Sequence, residues 1–142
     1  MQEALKQAKI AFEKDEVPVG AVIVFNNKII AKAHNQVETL KDPTAHAEMI
    51  AITQATATLG SKWLLDCIAY VTLEPCIMCI GAIFHARINR LVFATRDFKA
   101  GAAGSAFNLL NSYPLYYKIA IDEGIMQQEC AALLLEFFAN KR

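Results

Sequence analysis

The sequence predicts an α/β fold, with a central mixed five-stranded sheet in a three-layer α/β/α arrangement. Two observations carry this. Strand-length apolar runs alternate with amphipathic helical segments in the order α-β-β-α-β-α-β-β-α, which argues for a sheet covered on both faces. The first two strands are separated by Asn26-Asn27 alone, so an antiparallel hairpin opens the sheet. The 142 residues, 55% hydrophobic and 20% charged, supply apolar material for one packed core rather than two. A single domain over 1–142 is expected.

Each element has its own signal. Over residues 1–15, Met1, Leu5, Ala8 and Phe12 recur at helical spacing, and Pro18 ends the helix. Val19–Phe25 reads as a buried strand. Asparagine tolerates the positive φ of a two-residue turn, and Lys28–Ala33 returns as the partner strand. After a loop carrying Asn35, Asp42 is expected to cap a helix with Pro43 at its first position. Gly60 closes that helix after Leu59. Ile68–Leu73 is the next strand, Pro75 opens a helix to about Ala86, and Arg90–Thr95 is a strand. The glycine-rich run Lys99–Ser105 reads as a loop. Tyr117–Ile121 reads as a short strand and Met126–Phe138 as a helix with Met126, Cys130, Leu133, Leu134, Phe137 and Phe138 on its apolar face.

Composition narrows the function. Fourteen basic side chains balance fourteen acidic ones, which disfavours a generic basic nucleic-acid coat. No apolar run reaches the ~20 residues of a membrane span. The N-terminus opens an amphipathic helix instead of a signal peptide, and four cysteines are too few for a disulfide scaffold. They read as reduced thiols of a cytoplasmic protein. Charge is nevertheless segregated: from Phe84 to Gly101, Arg87, Arg90, Arg96 and Lys99 face only Asp97, whereas Asp122–Glu136 holds four acids and no base. A neutral chain can thus present one basic face to a few phosphates.

The chemistry concentrates in His46-Ala47-Glu48 and Pro75-Cys76-Ile77-Met78-Cys79. Cys76 and Cys79 are neighbours on one helix face, in a first turn where the dipole favours thiolate. Two thiolates and one imidazole suit zinc, although iron and cobalt are not excluded by ligand chemistry. Three protein ligands leave a fourth position for water, the pattern of a catalytic zinc, and Glu48 is placed to move its proton. Ideal helix spacing does not put His46 and Glu48 on one face, so periodicity alone does not bring them together. Cys-x-x-Cys at a helix start is also a thioredoxin-like motif, and a lone His-x-Glu can be an ordinary helix start. Cys67, Cys130 and Trp63 read as packing residues. His34 and His85 suit loop or helix-end hydrogen bonds. Phe84, Phe98, Phe107, Tyr113, Tyr116 and Tyr117 offer stacking surfaces or core.

The combined signature, His-x-Glu followed by Pro-Cys-x-x-Cys, is that of the zinc nucleobase deaminases. The sequence further resembles bacterial tRNA-specific adenosine deaminases over nearly its whole length. The resemblance runs through Glu16–Val22, Asp42–Glu48, Val71–Ala82, His85–Ile88, Arg96–Ser105 and Glu129–Phe138. It implies a cytidine deaminase-like fold and hydrolytic conversion of adenosine to inosine at the wobble position of a tRNA anticodon. His46, Cys76 and Cys79 would hold one zinc per subunit, whose hydroxide would attack C6, with Glu48 as proton shuttle. Asn35 would contact the flipped nucleotide, and Val19 and Ala47 would line the base pocket. Arg96, Asp97 and Lys99 would hold the anticodon backbone, with Phe138 bordering the substrate. The resemblance also implies a homodimer gripping the anticodon stem-loop. The sequence begins at the first helix and stops soon after the Phe pair, where many members carry more basic residues. Two rivals stand beside this reading: the same chemistry on a free base or nucleoside, and a non-catalytic zinc-stabilised RNA-binding module.

Overall fold

The computed structural model describes residues 1–111 and 118–142. Its elements are α1 (Gln2–Glu13), β1 (Gly20–Phe25), β2 (Lys28–His34), α2 (Val37–Leu40), α3 (Ala47–Leu59), β3 (Cys67–Leu73), α4 (Ile77–His85), β4 (Arg90–Thr95), β5 (Ala120–Glu123) and α5 (Gln127–Asn140). The sheet has five strands in the order β2-β1-β3-β4-β5. β1 is antiparallel to both β2 and β3, while β3, β4 and β5 run parallel. The expected mixed sheet is therefore present. Among the described residues, no helix is long and apolar enough to cross a membrane.

The two faces of the sheet are covered for different steric reasons. Ala21, Ile23, Ala69, Val71, Leu91 and Phe93 point to one side and form the main core with Ala47, Ala51 and Ala55 of α3 and Ile80 and Ile83 of α4. On the other side lie α1 and α5, where Leu5, Ala94 and Cys130 pack together. Here α1 lies almost on the backbone of β1. Its Ala4, Ala8 and Ala11 are fully buried, and a Cβ built on Gly20 would fall 2.0 Å from the Ala4 carbonyl oxygen. Only glycine fits that position.

The hairpin turn is as expected: Asn26 and Asn27 have φ of 50° and 60°, the positive values that match strand twist. On the outer edge of β2, the Lys32 amide donates to Gln54 Oε1 at 3.2 Å, and Thr58 Oγ1 donates to the Ile30 carbonyl at 3.4 Å, both from α3.

Several expectations need correction. Asp42 does not cap a helix beginning at Pro43. Its Oδ1 accepts from the Thr44 amide (2.8 Å) and hydroxyl (2.7 Å), closing a local turn, and α3 starts only at Ala47. Pro75 lies outside α4, which begins at Ile77. The last strand is Ala120–Glu123 rather than Tyr117–Ile121; Tyr113, Tyr116 and Tyr117 lie outside the described residues. Met126 precedes α5 as its N-cap with φ of 59°. The four-residue α2 carries no periodicity from which to foresee it. Trp63 is not core: it is 38% exposed, with Arg87 4.2 Å and Lys62 4.7 Å from its ring. Cys67 and Cys130 are buried, as expected.

Candidate metal centre and active site

Two helix starts build the site. His46 is the N-cap of α3 and Cys76 the N-cap of α4, both with extended backbone (φ −70°, ψ 151° and φ −75°, ψ 178°). An N-cap side chain projects past the helix end rather than along one of its faces. Two caps can therefore converge where periodicity shows no shared face. The turn at Asp42–Thr44 delivers the chain extended into His46. On the other side, a β-bridge between Cys76 and Gly101, with the Ala102 amide donating to the Pro75 carbonyl at 2.8 Å, fixes the approach to α4.

His46 Nδ1 lies 3.7 Å from Cys76 Sγ and 3.6 Å from Cys79 Sγ. The three donor atoms are all within 4.8 Å of one another. Zn–N near 2.0–2.1 Å and Zn–S near 2.3 Å at a tetrahedral angle give an N···S separation of about 3.6 Å. The donor set and its spacing therefore fit a zinc ion with one position left open.

Electrostatics agree with a site built for a cation. Cys76 falls to about 4, because the Cys79 thiol and then His46 hydrogen-bond its thiolate. Cys79 rises, since it supplies that hydrogen bond and is buried. His46 is raised, first by its hydrogen bond to Cys76. Without a metal, the cluster thus holds a thiolate among proton donors. Glu48 is 6% exposed, and burial pushes its carboxyl up to about 7.

His46, Glu48 and Cys76 open into a cavity of about 900 Å³. Val19, Asn35, Ala47 and Asp97 line it too, as the sequence reading expects. Asn35 Nδ2 donates to the Val17 carbonyl at 3.3 Å, while its buried Oδ1 has no partner within the described chain. Asp97 Oδ1 accepts from the amides of Lys99 and Ala100, shaping the loop that forms one wall.

Arg96, Lys99 and Phe138 do not line the cavity. The Arg96 guanidinium makes a two-pronged pair with Glu123 at 2.7 and 2.9 Å. Phe138 is 47% exposed and meets Phe137 edge-on. It is Phe137, 6% exposed, that reaches the cavity. Helical periodicity placed both on the apolar face and could not separate them. Lys14, Lys41 and Lys141 also border the cavity from α1, the end of α2 and the C-terminus, a convergence without any local signal.

The opposite wall rests on a second buried carboxylate. Glu16 accepts from the amides of Glu38 (2.9 Å) and Thr39 (2.7 Å) and from the Thr39 hydroxyl (2.6 Å), holding α2 from outside its own helix. Burial alone would raise Glu16, but these donors together hold it below the usual value.

Known proteins match this architecture. The cytidine and deoxycytidylate deaminase zinc-binding region matches residues 1–95. A tRNA-specific adenosine deaminase of Aquifex aeolicus is 50% identical over all of this chain and 93% of its own length. That of Bacillus subtilis is 44% identical, over all of this chain and 88% of its own length. A structure from a study of A-to-I editing by tRNA:A34 deaminases superposes with a TM-score of 0.91 at 40% identity, covering 94% of this chain and 97% of that one. A guanine deaminase from Nitrosomonas europaea is more distant, with a TM-score of 0.83 at 25% identity, covering 97% and 82%. Matched along its full length by such relatives, and carrying the three donors at zinc spacing, the chain belongs to the zinc-binding cytidine and deoxycytidylate deaminase family, among the tRNA-specific adenosine deaminases.

Proposed function

We propose that this protein hydrolyses adenosine to inosine at the wobble position of tRNA anticodons, with the whole chain acting as one deaminase domain. The observation that carries the reading is the His46–Cys76–Cys79 cluster beside buried Glu48 at the cavity, in a chain whose full-length relatives are tRNA-specific adenosine deaminases. Zinc held by these three side chains supplies the Lewis acidity that makes water nucleophilic near neutral pH.

The chain's own groups do the rest. Glu48 takes one proton from the attacking water and delivers it to adenine N1, then moves the remaining hydroxyl proton from the C6–OH to the amino group, which leaves as ammonia as C6–N6 breaks and C6=O forms. Its burial keeps bulk water from competing. Val19 and Ala47 supply apolar walls for a flipped base, and the unpartnered Asn35 Oδ1 accepts a hydrogen bond from the nucleotide. Asp97 shapes its loop against the anticodon, and exposed Lys99 on that loop suits a phosphate. Arg96 braces the same loop through Glu123, and Phe138 buttresses Phe137. The reading makes the protein a cytoplasmic homodimer. Exposed apolar side chains such as Leu65, Ile77 and Leu135 offer surface to a partner copy.

The test is inosine formation in a synthetic anticodon stem-loop with zinc-loaded protein. Conversion at the wobble adenosine, with none at adenosines elsewhere in the loop, is expected. Conversion of free guanine or a nucleoside, with none of the stem-loop, would overturn the assignment of substrate. Full activity of Glu48→Ala would overturn the mechanism.

A further inference from the structure

We propose that Glu74 is a positioning residue for RNA: its carboxylate is the mould on which the 97–105 loop sets, and so fixes Asp97 and Ala100 against the substrate. The inference rests on the stem-loop reading above for its substrate, but not for its geometry.

Glu74 is 2% exposed at the junction between β3 and α4. Its Oε1 accepts from the Asp97 amide at 3.3 Å and the Ser105 hydroxyl at 2.5 Å. Its Oε2 accepts from the amides of Ala103 (2.9 Å) and Ser105 (3.1 Å). Three of the four partners are backbone N–H groups, which can only donate, so the site demands an acceptor on both oxygens. The loop has closed around the group. A Cβ on Gly101 would lie 2.4 Å from Glu74 Cδ, so the backbone there passes too close for any side chain. The nine residues from Asp97 to Ser105 are thus tied at both ends and at Ala103 to one side chain.

The position gives this anchoring a function. Glu74 lies two residues before Cys76, on the segment that delivers a metal ligand, while Asp97 and Ala100 line the cavity. One carboxylate therefore ties the wall that meets the nucleotide to the frame that holds the metal site. A loop without it would still fold over α4 through the bridge of Cys76 to Gly101, but with its wall residues free to wander. Misplacement by about 1 Å is enough to cost a large factor in productive binding.

Glu74→Gln keeps the volume and removes one acceptor. With its NH₂ in place of Oε2 it faces the Ala103 and Ser105 amides, which only donate; in place of Oε1 it meets the Ser105 hydroxyl, which can turn to accept, but leaves the Asp97 amide without its acceptor. Ser105→Ala is the milder second variant, deleting one bond and leaving three. Both are to be prepared zinc-loaded and checked for zinc content. Two readouts are taken: amide hydrogen exchange over residues 97–105, and kcat and KM on the anticodon stem-loop. We expect faster exchange within residues 97–105, at the Asp97 amide above all, zinc unchanged, and KM raised about tenfold or more for Glu74→Gln with kcat nearly kept. Ser105→Ala should shift both readouts the same way and less. Unchanged exchange in both variants overturns the proposal, as does a fall in kcat at unchanged KM. If the wild-type chain does not edit the stem-loop, the functional reading fails, and exchange alone still decides whether Glu74 holds the loop. Should Glu74→Gln fail to fold, the Ser105→Ala result decides by the same criteria.

Discussion

The close approach of α1 to β1 at Gly20 makes a sharp stability prediction. In Gly20→Ala the added methyl would sit 2.0 Å from the Ala4 oxygen, 2.6 Å from the Ala8 nitrogen and 2.8 Å from Gln7 Cβ. None of these is the free end of a flexible side chain, so no rotamer change relieves the clash. To restore even 3.0 Å to the Ala4 oxygen, α1 must retreat by about 1 Å. That lifts the fully buried Ala4, Ala8 and Ala11 off the sheet together. Overpacking of this kind costs about 1–3 kcal/mol, which for a domain of this size lowers Tm by roughly 3–10 °C. The assay is thermal unfolding of the zinc-loaded protein by circular dichroism at fixed zinc. Zinc content should stay at the wild-type value, because the ligands sit on α3 and α4, in the opposite layer. A Tm within about 1 °C of wild type would refute the reasoning, since α1 could then not be held as close to β1 as these distances require.

Three further outcomes are expected. Glu48→Gln should lower kcat by about 10²- to 10⁴-fold in a single-turnover inosine assay while zinc stays bound; a loss under tenfold would remove Glu48 from proton transfer. Cys76→Ser should bring zinc, measured by atomic absorption, well below one per chain, and unchanged metal would strike Cys76 from the ligand set. Glu16 has a lowered folded pKa, so its contribution is present above the unfolded value of 4.5 and is lost as pH falls through the lower folded value. The Tm gap between wild type and Glu16→Gln should accordingly be widest near neutrality and shrink below pH 4.5. Comparing the two proteins cancels the loss of zinc that acid causes in both. A gap constant with pH would mean that the Glu16 charge is not what holds α2.

Much of the site was legible because its chemistry is written in short spacings. Cys76 and Cys79 are one turn apart, and their residue types admit few ligands other than a soft metal. The first four strands were equally legible, since runs such as Ile68–Leu73 and the Asn26-Asn27 turn carry local signals. What escaped depends on distant partners. Asp42 has two local uses, helix cap or turn closure, and Thr44 decides between them. The choice moves the start of α3 to Ala47 and makes His46 a cap, which is what brings it to the cysteines. The partner of Arg96 was hidden too, because nothing nearby in the sequence reveals Glu123, which is brought beside it by parallel pairing of β4 and β5. Phe137 and Phe138 are adjacent on one apolar arc, and only the packing of Phe137 against Phe12 (ring centres 5.9 Å apart) sets which one turns inward.

The two side chains that α3 extends over β2 bear on the protein's behaviour at high concentration. A strand at the border of a sheet normally exposes a ladder of unused amides and carbonyls, a template on which other chains can grow. Here Gln54 occupies the Lys32 amide and Thr58 the Ile30 carbonyl, and Lys28 and Lys32 add exposed positive charge. At the far border, β5 is only four residues long and carries Asp122 and Glu123, each folded back onto an arginine of the neighbouring segment. Both borders thus carry features that oppose strand addition, which helps guard an unusually apolar small enzyme against fibrous self-assembly.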